Sequence, residues 1–169
     1  STSSTTNGLS AGTYTVTATD ANSCTATTSV TITQPTQVYV STTQSNVSTC
    51  FGGSNGTATA SATGGTGTKT FVWSTGSTSA ITTGLAAGTY TVTATDANSC
   101  TATTSVTITQ PTQVYVSTTQ SNVNTCFGGS NGSATASATG GTGTKTFVWS
   151  TGSTSATTTG LTAGAYTVT

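Results

Sequence analysis

The chain has 169 residues, of which two are Lys, two are Asp and none is Arg, Glu or His, so 2% is charged and the net charge is zero. An ordinary domain carries about a quarter charged residues. Phosphate binding needs clustered cations, which argues against a nucleic-acid partner and against anionic membranes, and no apolar run reaches the ~20 residues of a membrane-spanning helix. General acid–base catalysis has almost no side chains to use, so no enzyme, catalytic residue or cofactor is expected. Calcium needs several carboxylates per site, and zinc favours closely spaced Cys pairs. Neither pattern occurs in the sequence, and no metal ligands are expected.

The chain repeats itself with a period of 76 residues: Cys24 returns as Cys100, Pro35 as Pro111, Cys50 as Cys126 and Trp73 as Trp149. Nine differences separate the 93 positions that overlay, among them Ile81 against Thr157 and Ser48 against Asn124. A unit of this length is too long for one solenoid coil and suits one small β domain. The expected organisation is the tail of a preceding repeat over 1–36, a complete repeat over 37–112 and most of a following one over 113–169. The chain is thus expected to be a window on a longer secreted polypeptide. "TQPTQ" (Thr33–Gln37 and Thr109–Gln113) is the expected joint, stiffened by Pro.

Within the complete repeat, period-2 alternation predicts strands at Val38–Thr42, Gly56–Thr63, Thr68–Ser74, Thr78–Thr83, Thr89–Asp96 and Thr104–Gln110. "GGSNG", "GGTG", "STGS", "GLAAG" and "DANS" are turn sequences between them. Phe71, Trp73, Tyr90, Val92, Val106 and Ile108 fall on the inward face and form the expected core. Tyr90, just after a Gly turn, has the placing of a tyrosine corner. The fold class expected is all-β, a tandem array of small immunoglobulin-like antiparallel β-sandwich domains with a 76-residue repeat.

The run "CFGGSNGTATASATGG" from Cys50, then "FVWSTG", then "GLAAGTYTVTATDANSC" ending at Cys100, resembles the SprB-type repeat of Bacteroidota cell-surface gliding and adhesion proteins. The family usually has Gly where Ser99 and Ser23 stand, and often an aromatic at Lys69–Thr70. The resemblance implies a long secreted protein of the cell surface with no enzymatic activity and no specific ligand.

In a secreted array the cysteines are expected as disulfides. Cys50–Cys100 within one repeat is favoured because a core of Ala and Val needs support. The alternative pairs Cys24 with Cys50 and Cys100 with Cys126. Asp96 and Asp20 are expected to cap turns, and Lys69 to pair with Asp96 or to crosslink to an Asn. Ser and Thr number 76; β-propensity alone accounts for many of them. Dense O-glycosylation would replace charge as the source of solubility, with candidates Thr89, Thr91, Thr93, Thr95, Thr57, Thr59, Ser61 and Thr63. Asn46, Asn55 and Asn131 match N-glycan acceptors. The expected function is a structural, non-enzymatic extracellular stalk or filament whose partners are adjacent repeats, other copies of itself and covalent glycans. The alternative is an adhesin whose repeats grip glycans or surfaces, with a Thr-ladder ice binder as a minor third.

Overall fold

A computed structural model describes residues 3–169. Eleven β-strands run in chain order: β1 Gly12–Thr19, β2 Thr25–Ile32, β3 Tyr39–Ser45, β4 Gly56–Thr63, β5 Thr70–Trp73, β6 Ile81–Leu85, β7 Gly88–Thr95, β8 Thr101–Ile108, β9 Tyr115–Ser121, β10 Gly132–Thr139 and β11 Thr157–Leu161. Among the described residues there is no helix. The cause is local: Thr and Val, branched at Cβ, alternate along most strands and favour extended backbone, while Gly and Asx-rich turns interrupt them every few residues.

The strands form small sheets in the orders β1-β2, β3-β4-β6, β5-β7-β8 and β11-β10-β9. The registers of β1–β2, β4–β6, β5–β7, β9–β10 and β10–β11 are all antiparallel. The protein is all-β, built of small antiparallel sheets on two repeats about 76 residues apart.

Its contacts gather into two compact units. One holds the residues up to Ser41 with Ala60–Ala80 and Val92–Thr104. Here β1 and β2 pair over eight consecutive positions, Gly12 opposite Ile32 through Thr19 opposite Thr25. β5 pairs with β7 from Thr70–Thr95 to Trp73–Val92. Trp73, Val92 and Ala94 are buried, and the Trp73 indole N–H donates to the Ser79 carbonyl at 2.9 Å. The partnered N–H removes the penalty of taking an indole out of water.

The other unit holds Thr42–Thr59, Ile81–Thr91 and Ser105–Thr169. β4 pairs with β6 and β10 with β11, each with a register shift at its leading glycine, Gly56 or Gly132. Ala134, Ala136, Trp149 and Leu161 make a buried cluster, against which Phe147, Tyr166 and Val168 pack. Two alanines on β10 leave room for the large Trp149, the small-against-large fit that close packing needs. Val47, Leu85, Val106 and Ile108 are buried in this unit, and Trp149 N–H donates to the Ser155 carbonyl.

Candidate functional site

The outward face of each hairpin is threonine. Across β7–β8 the Thr89 and Thr107 hydroxyls lie 3.2 Å apart and those of Thr93 and Thr103 3.0 Å. Across β1–β2 the same rungs recur at Thr13–Thr31 and Thr17–Thr27, both 3.1 Å, and β10–β11 adds Thr135–Thr157 at 3.0 Å. Directly opposed residues on an antiparallel pair bring their side chains into contact, and here the contact is a neutral hydroxyl–hydroxyl hydrogen bond. The face is thus a ladder of uncharged rungs rather than a set of ion pairs.

The O-glycan candidates spread over two strands. Thr89, Thr91, Ser61 and Thr63 are exposed, whereas Thr57, Thr59, Thr93 and Thr95 are half-buried. The three Asn candidates stand in exposed loops, and their amides brace those loops. Asn46 Oδ1 accepts from the Thr109 N–H at 3.0 Å. Asn55 Oδ1 accepts from the Ser48 N–H, and its Nδ2, the atom an N-glycan would use, donates to Ser48 Oγ at 2.9 Å. Asn131 repeats the arrangement, its Oδ1 accepting from the Asn124 N–H and its Nδ2 donating to Asn124 Oδ1.

Three further elements position the hairpin. Tyr90 Oη donates to the Ala86 carbonyl at 3.1 Å, as Tyr14 does to Ser10 and Tyr166 to Thr162; this is a tyrosine corner, tying the strand to the turn before it. The half-buried Phe71 and Tyr90 flank the buried Trp73 and Val92 in sequence.

At the hairpin tip Asp96 is buried. Its Oδ2 accepts from the Thr66 N–H at 2.8 Å and its Oδ1 from the N–H groups of Asn98 and Cys100 at 2.9 and 2.8 Å. These bonds favour the carboxylate. The Thr66 N–H is the largest influence holding Asp96 below its ordinary pKa, burial opposes it, and the Cys100 and Asn98 N–H groups and the charge of Lys69 add to the lowering. Lys69 Nζ donates to the Gly67 carbonyl at 2.8 Å, and Lys145 to Gly143 at 2.9 Å. Lys69 therefore acts on Asp96 through space while its ammonium rests on its own loop.

The chain entering the repeat is also fixed here. The Gly65 N–H donates to the Thr36 carbonyl at 2.9 Å. Gly64 and Gly65 have φ of +70° and +56°, and a Cβ on Gly64 would lie 1.9 Å from the Gln37 carbonyl oxygen. Only glycine fits both the left-handed backbone and that approach. Gly141 clasps Thr112 in the same way.

Cys24, Cys50, Cys100 and Cys126 are free and exposed in this structure. The two members of the favoured pair, Cys50 and Cys100, stand toward opposite ends of one strand. Cys100 immediately precedes β8, whereas Gly52, two residues past Cys50, donates its N–H to Gln110 Oε1, beyond the far end of that strand. Eight strand residues rise about 26 Å, against the ~7 Å between Cα atoms that a disulfide spans.

Among the described residues no group of three His, Cys, Asp or Glu side chains could hold a metal ion, and no helix is long and apolar enough to cross a membrane. Residues 41–78 and 117–154 match the SprB repeat family. The chain carries two SprB repeats. The matched stretches contain β4, β5 and most of β3 with their counterparts, and the threonine hairpin lies outside them. SprB repeats are structural units associated with cell-surface proteins of the gliding and adhesion type, not an enzyme family. No curated protein sequence matches the chain.

Proposed function

We propose that this chain is a section of an extracellular, non-enzymatic stalk or filament, in which SprB repeats act as near-identical immunoglobulin-like beads spanning residues such as 37–112. The observation that supports this most is the clasp at the joint: Gly65 on Thr36 and Gly141 on Thr112 give both repeats the same pinned entry. A regular fibre is generated by repeating one unit with one kind of joint, and the same entry in both repeats is what such a joint requires. The Thr ladder, uncharged and outward, serves as its coat, with O-glycans on exposed members such as Thr89, Thr91, Ser61 and Thr63. Electron microscopy of the purified native polypeptide tests the role; unbranched fibres of uniform width support it, and collapsed flexible strings refute it. Intact mass tests the coat, since hexose-sized increments on the Ser/Thr peptides are expected and an unmodified mass removes it.

A second reading, an adhesin that grips glycans directly, is supported by the aromatic side chains that each repeat exposes, Tyr39 and Phe51 in one and Tyr115 and Phe127 in the other. Such rings stack on apolar sugar faces. Tight binding on a glycan array, lost in Tyr39→Ala with Tyr115→Ala, would favour it over the purely structural role.

A further inference from the structure

Thr109 and Gln110, where the chain leaves β8, are held by the loop that follows β3. The Thr109 N–H donates to Asn46 Oδ1 at 3.0 Å, the Val47 N–H to the Thr109 carbonyl at 2.9 Å and the Gly52 N–H to Gln110 Oε1 at 2.8 Å. The outer pairs of this latch lie 63 and 58 residues apart in sequence. The loop that carries it is braced. Val47 is buried, and Asn55 Oδ1 accepts from the Ser48 N–H and the Thr49 hydroxyl while its Nδ2 donates to Ser48 Oγ. A Cβ on Gly53 would lie 2.1 Å from Thr49 Oγ1 and 3.0 Å from Val47 Cγ1, so the loop is closely packed on itself.

The hydrogen bonds also fix how the strands run. Gly65, two residues past the end of β4, clasps Thr36 just before β3, and the next N–H, from Thr66, binds Asp96 at the tip that leads into β8. The starts of β3 and β8 therefore lie together. The latch brings their far ends together as well, and Ile108 at the end of β8 lies so close to β4 that a Cβ on Gly56 would be 2.7 Å from its Cγ2. β3 and β8 thus run in the same direction. A pull on the chain at Gln37 and at Pro111 drags them oppositely along their own axes. Bonds across such a sliding contact are strained together, whereas bonds at a peeling end break one after another.

We propose that the repeat is a tension link. The pull travels along the covalent backbone of β3 to Asn46 and Val47 and crosses to the exit through the three bonds on Thr109 and Gln110. Strands β4 to β8 with their turns form a closed loop between Val47 and Thr109, which stays unloaded while the latch holds. The proposal deepens the stalk reading and rests on it for the source of the pull. The two fail separately, since microscopy reads the fibre and force on one chain reads the latch.

Single-molecule force spectroscopy of the full chain, held by its two ends, tests it. Forced unfolding is governed by the unfolding rate rather than by equilibrium stability. The wild type is expected to show a rupture that frees the loop from Val47 to Thr109, a gain of about 210 Å when extended. Asn46→Ala and Gln110→Ala each remove one bond of the latch, and each should speed that rupture at fixed load by roughly fivefold. Thr109 is exposed, so water takes up the N–H that Asn46→Ala frees; if that variant nonetheless fails to fold by circular dichroism, Gln110→Ala carries the test. Tyr90→Phe removes a bond inside the unloaded loop, so it should lower the urea midpoint while leaving the rupture rate at the wild-type value. A wild type that extends without a rupture of that length overturns the proposal. Folded latch variants that rupture at the wild-type rate overturn it, as does a Tyr90→Phe variant that speeds the rupture as much as they do.

Discussion

Asp96 carries a charge into a buried turn, and every one of its partners in that turn is a backbone N–H. Because its folded pKa lies below the ordinary value, the carboxylate contributes its full stabilisation above the ordinary value and loses it as pH falls through the folded one. The thermal midpoint should accordingly be level from neutrality down to about pH 5 and decline below pH ~4. Asp96→Ala should lower the midpoint at neutral pH and flatten that decline, which scanning calorimetry across pH would show. Ser99, three residues on, sits at φ +65°, a backbone region costing a residue with a Cβ about 1 kcal/mol. With Ser rather than Gly at this position, the turn bears that strain. Ser99→Gly should therefore raise unfolding stability by up to ~1 kcal/mol, measured as a shift of the urea midpoint with the slope unchanged.

The tyrosine corner is the element that joins turn to strand, and its single hydrogen bond from Tyr90 to Ala86 can be removed without altering the ring. Tyr90→Phe should reduce stability by about 1 kcal/mol in urea titration, with the fold retained. Much at this scale was legible in the sequence. Gly56–Thr63 is a strand with the bounds that alternation predicts, and Tyr90 is hydrogen-bonded as its place after "GLAAG" implies. Other features were not. β3 continues to Ser45 through "TTQS", a polar run that offers no inward residues to count. β8 begins at Thr101, three residues before the predicted Thr104, because the Asp96 turn sets the hairpin register from its tip. The hydroxyl rungs depend on which Thr stands opposite which, a property of register that periodicity along one strand does not contain. The separation of Cys50 from Cys100 is likewise set by which end of β8 each loop reaches.

For the whole molecule, the absence of charge is itself a physical statement. With four charged side chains in 169 residues, one carboxylate sealed in a turn and hydroxyl pairs on the strands, little of the stability depends on interactions that salt can screen. The urea midpoint should move little between roughly 0.01 and 1 M sodium chloride, a range over which the Debye length shrinks about tenfold. A strong salt dependence would mean that the two Lys and two Asp matter more than the Thr ladder does. Composition alone indicated a neutral coat; the clasp of Gly64–Gly65 on the joint was not legible, because it depends on a carbonyl brought within reach by the fold.

The two lysines have one more consequence. Trypsin cuts after Lys or Arg, and here it would find only Lys69 and Lys145, each folded back onto the glycine carbonyl two residues before it. Digestion of the unfolded chain should release a fragment of one repeat length, Thr70 to Lys145, whereas the native chain should survive the same treatment uncut. The chain is thereby nearly illegible to proteases that cut after basic residues, and each of its two readable letters is held against its own loop.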